Sequence, residues 1–161
     1  MSETARIVAE KLFALLGDGD TQGAAALFAD DVEWDIPGNT EVVPWIGRRR
    51  TRAEVLEFFT TLDRDYLDRD KFVAERFFGD ESRAVALGSL RSTVRATGKV
   101  IESAFALDLG VNPDGLITRY VFLEDSWRGA VARASGNARR PGFAADRPQP
   151  RAVGGEGGGQ R

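Results

Sequence analysis

Four extended runs, at 71 to 79, 82 to 96, 99 to 111 and 115 to 124, dominate the second half of this chain and limit what it can fold into. They are rich in Val, Phe, Leu, Ile and Thr, which suit a pleated, half-buried surface. Their separators, "GDE", "TGK" and "NPDG", carry turn-forming residues and are each short enough for a hairpin. The pattern predicts an antiparallel meander.

The first half reads differently. Residues 4 to 16 place Ile7, Val8, Leu12, Phe13, Leu15 and Leu16 on one side of a helical period, and "GDGD" stops it. Asp20 is a candidate cap for a short second helix through "TQGAAALFA", and the two predict a helical hairpin. From Val32 the period changes to two, with Val32, Trp34 and Ile36 alternating with Glu33 and Asp35 up to a Pro37-Gly38 break. A loop with Pro44, Trp45 and Gly47 follows. A third helix then starts at Thr51-x-x-Glu54, the spacing of a capping box, with Val55, Phe58, Phe59 and Leu62 on one face. Helices and a strand followed by a curved meander describe an α+β half-cone, its sheet wrapped around a long helix. Its open end leaves a cavity for a small ligand.

A chain of 161 residues supports one domain, expected over 1–134 and closed by a short helix through "SWRGAVARA". The stretch 135–161 has Pro, Gly and Arg without periodicity and reads as a disordered, dispensable tail. Cysteine and histidine are both absent, which removes thiolate chemistry, serine triads and His-containing zinc or iron sites. Any acid or base must be Asp, Glu, Lys or Tyr. No metal and no cofactor are expected. Residues 1–134 carry 17 basic and 23 acidic side chains and no basic stripe, which argues against a nucleic-acid partner. Neither a signal peptide nor an apolar run of membrane-spanning length is visible, so no membrane partner and a cytoplasmic location are expected.

The blocks "GDGDTQGAAALFADDVEW", "IPGNTEVVPWIGRRRTRAEVLEFF", "RATGKVIE" and "DGLITRYVFLEDS" together resemble the SnoaL-like, ketosteroid-isomerase-related branch of the nuclear transport factor 2-like superfamily, over about residues 5 to 134. The resemblance implies the half-cone fold, but that superfamily hosts several enzyme types and noncatalytic binding modules. Ketosteroid isomerases use an Asp base with a Tyr and a protonated Asp as oxyanion donors. Aligned on this chain, those positions read Ile36, Leu12 and Leu107. Phe122 stands where a limonene epoxide hydrolase would carry an Asp. Positions at which SnoaL-like proteins commonly carry Trp-x-His, and Glu or Tyr, read Phe105-Ala106-Leu107 and Phe122-Leu123. The resemblance therefore implies a cup more apolar than its relatives' and an inherited site altered or lost.

Two carboxylates and a phenol remain as catalytic candidates: Asp35, Glu124 and Tyr120. Strict alternation puts Asp35 on the face opposite Trp34 and Ile36, whereas a bulge near the Pro-Gly break would turn it into the cavity. Tyr120, Phe122 and Glu124 share one face of the last strand, which the alignment turns inward. Trp34, Ile36, Trp45, Phe58, Phe105, Leu107 and Phe122 are the expected ligand-binding surface. Arg91 and Arg95 could hold an anionic substrate group, though such residues more often simply solvate the outer face. The run Arg48, Arg49, Arg50 and Arg52 could bind an anion with help from the third helix's N-terminus, though such a cluster is usually a solvated loop. Two functions stay open. One is an enzyme moving protons on a small apolar carbonyl compound of polyketide, terpenoid or steroid type, by isomerase, cyclase or hydrolase chemistry. The other is a noncatalytic binding or dimerisation module. A homodimer through the convex sheet face is expected, because that face otherwise leaves apolar residues in water.

Overall fold

The computed structural model describes residues 3–125. The expected closing helix and the tail from 135 lie outside the described residues. Within them run α1 (Thr4–Gly17), α2 (Thr21–Ala26), β1 (Phe28–Ile36), β2 (Gly47–Thr51), α3 (Arg52–Thr61), a π-helical turn (Leu62–Tyr66), β3 (Leu67–Gly79), β4 (Arg83–Val94), β5 (Val100–Val111) and β6 (Ile117–Glu124). The strands form one curved six-stranded sheet in the order β2-β1-β6-β5-β4-β3, with helices on its concave side, an α+β fold. The meander β3 to β6 is antiparallel as its turns dictate, while β1 runs parallel to β6, so the sheet is mixed.

Local chemistry explains the helix ends. Gly19, at φ 74°, takes the left-handed turn that ends α1. Asp20 Oδ1 accepts the Gly23 N–H at 2.7 Å and caps α2. At α3 the box is complete: Thr51 Oγ1 accepts the Glu54 N–H at 3.2 Å and Glu54 Oε2 accepts that of Thr51 at 3.0 Å. The buried stripe of α1 is Ala5, Ala9, Leu12 and Leu16, with Ile7 exposed. The start of α1 lies against the turn after β3, where the Ala5 N–H donates to the Asp80 carbonyl at 3.1 Å.

The basic run expected as a loop is instead an edge strand. β2 pairs with β1 through Ile36↔Gly47, Asp35↔Arg48 and Trp34↔Arg49. Its exposed arginines suit an edge, which charged side chains protect from further pairing. Arg91 pairs with Glu102 on the neighbouring strand, whereas Arg95 falls in the turn after β4 rather than on the outer face, pairing with Asp68 at 2.6 Å and donating to the Asp63 carbonyl at 2.6 Å.

Candidate functional site

Between α3, the 37–46 loop and the concave sheet lies a narrow cavity of about 70 Å³, open at one end. Its wall is mostly apolar. Phe58, Phe59 and Leu62 come from the α3 region, Val43, Trp45 and Ile46 from the loop, and Ile36, Leu67, Phe72, Leu90, Ile101 and Phe122 from the strands, with Leu16 closing one side. Arg49 ties the loop down: its Nη2 donates to the Trp45 carbonyl at 3.2 Å, and its guanidinium lies 4.5 Å from the Phe58 ring centre. That burial draws the Arg49 pKa below its ordinary value.

The polar exceptions in the wall are Tyr120, Glu124, Asp125, Arg69 and Ser92. Strand alternation turns Tyr120, Phe122 and Glu124 to the same concave face of β6. Among the described residues, neither the Tyr120 hydroxyl nor the Glu124 carboxylate makes a hydrogen bond, so both are available to a ligand. Glu124 is half-buried, and desolvation, reinforced by the Asp125 charge, pushes its carboxyl up to about 7. Tyr120 is buried, and desolvation, then the Glu124 charge, raises its phenol above the ordinary range, against a smaller opposing effect of Arg69. It stays protonated at neutral pH and is a donor.

Of the residues singled out from the sequence, Ile36, Trp45, Phe58, Tyr120, Phe122 and Glu124 meet at this cavity. Asp35 does not. Its carboxylate faces the opposite side of the sheet, with Oδ2 3.8 Å from Arg48 Nε. The bulge in β1 falls upstream, between Asp31 and Trp34, and so leaves the alternation of Trp34, Asp35 and Ile36 intact. Trp34 stands one layer back, stacked on Tyr120 with ring centres 3.9 Å apart. Its Nε1 is buried without an acceptor. Phe105 and Leu107 face inward but do not line the cavity. Phe13 of α1 stacks on Phe105 at 5.8 Å and on Phe72 at 5.3 Å, filling that part of the cup. Leu12 and Leu107, at the isomerase donor positions, are fully buried.

Arg69 and Ser92 escaped the sequence reading. Arg69 sits in "LDRD", whose charges hide the start of β3, and a lone Ser in a long strand carries no signal of its inward face.

A SnoaL-like domain profile matches residues 9–120, and the chain belongs to that family. Patulin biosynthesis cluster protein F of Penicillium expansum is 30% identical over 112 residues, 66% of this chain and 54% of that protein. The chain thus spans about half the length of the curated relatives it matches. An NTF2-like protein from Burkholderia xenovorans LB400 superposes with a TM-score of 0.72 at 22% identity, covering 83% of this chain and 98% of that one. A computationally designed 17-OHP binder has the same fold, with a TM-score of 0.59 at 22% identity, covering 75% and 93%. Among the described residues no helix is long and apolar enough to cross a membrane, and no cluster of acidic side chains could hold a metal ion.

Proposed function

We propose that this chain is a cofactor-independent enzyme of isomerase or cyclase type, with Glu124 as the proton carrier and Tyr120 as the hydrogen-bond donor to a substrate carbonyl. The observation that carries the reading is Glu124, a carboxyl raised to about 7 in an apolar wall it shares with a protonated phenol. At neutral pH a substantial fraction is ionised, yet the group is basic enough to accept a proton from carbon. The carboxylate takes a proton from the carbon next to the carbonyl, and the C–H electron pair becomes the C=C bond of an enolate whose oxygen the Tyr120 hydroxyl stabilises. Where the substrate is β,γ-unsaturated the enolate is a dienolate, and return of the proton to its γ carbon moves the double bond into conjugation and leaves Glu124 an anion again. Attack of the enolate carbon on a second carbonyl closes a ring instead, and the alkoxide so formed takes the proton back from Glu124. The curated relatives named for patulin biosynthesis support a role in small-molecule biosynthesis.

Proton NMR of deuterium uptake beside the carbonyl, across apolar ketones and β,γ-unsaturated ketones, tests this directly. Wild-type protein is expected to accelerate exchange, with a rate rising as pH passes about 7. Glu124→Gln should lose roughly 10²–10⁴-fold, and Tyr120→Phe roughly 10²-fold. Exchange that survives Glu124→Gln unchanged would remove Glu124 from the chemistry. The mostly apolar wall favours a second reading, a noncatalytic ligand carrier, and the designed 17-OHP binder supports it as a use of this fold. Tight binding with no proton exchange anywhere in the panel would select that reading.

A further inference from the structure

The polar groups of the cavity fall into two sets on different strands. Tyr120 and Glu124 belong to β6. Arg69 and Ser92 are direct register partners across β3 and β4, so their side chains share the concave face. Ser92 is 3% exposed, and its hydroxyl makes no hydrogen bond among the described residues. Arg69 Nη2 donates to Asp63 Oδ2 at 2.5 Å, and the guanidinium lies 5.5 Å from the Phe72 ring centre. No other acceptor engages it among the described residues. A guanidinium offers five N–H donors in a rigid fork, so one edge is left to face the cavity.

Bracing Asp63 does not account for this placement. Among the described ion-paired arginines Arg69 is the most enclosed, its side chain 20% exposed where that of Arg83 is 53%. An arginine needed only for a surface pair has no reason to enter an apolar wall. We propose that the cavity takes an apolar carbonyl compound that also carries a carboxylate, and that the free guanidinium edge of Arg69, with the Ser92 hydroxyl, holds that carboxylate. The proposal deepens the proton-transfer reading and rests on it for where the reacting carbonyl sits.

Charge fixes both the kind of anion and its orientation. One cation, already shared with Asp63, matches a monoanion and is too little for a phosphate dianion. The ionised form of Glu124 at the β6 end repels a carboxylate, so the anionic end goes to β3 and β4 and the carbonyl to Tyr120. Without Arg69 a buried carboxylate would lose its hydration with nothing in return.

Cinnamate and cinnamamide, nearly isosteric and differing in charge, test the anchor by calorimetric titration of the full chain at pH 7. Cinnamate is expected to bind at least about tenfold more tightly, the scale of a charge-assisted pair. Arg69→Met should abolish the preference while leaving cinnamamide affinity within about twofold. Equal binding of the two probes to wild type, a preference that survives Arg69→Met, or binding of neither probe at millimolar concentration would each overturn the proposal. Should Arg69→Met fail to fold, Ser92→Ala is expected to weaken cinnamate severalfold and spare cinnamamide, and the absence of that effect overturns it equally. Glu124→Gln should keep the preference for cinnamate, so a failed exchange assay counts against the proton carrier alone and a failed titration against the anchor alone.

Discussion

Because burial raises the Glu124 carboxyl to about 7, the folded protein favours its protonated form more than the unfolded chain does, where the ordinary value is 4.5. The sign follows from that order. The stabilisation it gives is fully present below 4.5 and is lost as pH rises through about 7, when the folded state must hold a charge in an apolar wall. Glu124→Gln should therefore melt like wild type at pH 4 and at a higher temperature at pH 8. The shift caps the difference at about 3 kcal/mol, and partial solvation at the cavity mouth reduces it. Thermal melts of both proteins at the two pH values check this. At this scale the sequence was informative about facing and silent about depth. Alternation alone assigned Tyr120, Phe122 and Glu124 to one face and left Asp35 opposite Trp34. It could not show that Phe13 fills the cup over Phe105, since that depends on how α1 crosses the sheet.

Among the elements, those with their own turn or cap chemistry were legible: both N-caps, the hairpin turns and four meander strands appear in the order and nearly the positions that the residues imply. The departures have local causes. β1 starts at Phe28, four residues before the alternation, because its bulge breaks the period of two. β2 has no apolar signal because an edge strand of arginines is held by backbone pairing to β1. β4 also carries a constraint that its composition conceals. A Cβ at Gly88 would lie 2.0 Å from the Val73 carbonyl oxygen and 2.5 Å from Phe105 Cζ. The Phe105 ring occupies the space a side chain would need, directly beneath the register pair Gly88↔Phe105. Gly88→Ala is expected to destabilise the fold by about 2–4 kcal/mol, since both backbone and ring would have to shift. Urea denaturation followed by tryptophan fluorescence measures it, and a loss below about 0.5 kcal/mol would contradict the close approach.

At the scale of the whole molecule, the convex sheet face exposes Val73, Val85, Leu87 and Leu123, with no described helix over them. Ion pairs border the patch: Asp108 bridges Arg83 at 2.6 Å and Arg119 at 3.0 Å, and Arg119 reaches Glu33 at 2.6 Å. We propose that two copies pair across this face, which removes the apolar residues from water and leaves the charges at the rim. Light scattering at micromolar concentration should give twice the 17.6 kDa chain mass, and Leu87→Glu should return it to a monomer. A wild-type monomer would end the idea. The parallel seam between β1 and β6 bears on how the chain comes to be folded. Phe28 and its partner Ile117 are about 90 residues apart, so at ribosomal speeds of about 5–20 residues per second β1 waits roughly 4–18 s for its neighbour to be made. Through that interval Trp34 has no Tyr120 to stack on. Closing so long a loop makes the seam a slow, late step. The nascent chain therefore passes through a stage in which its most aromatic surface is open to chaperones and to other chains.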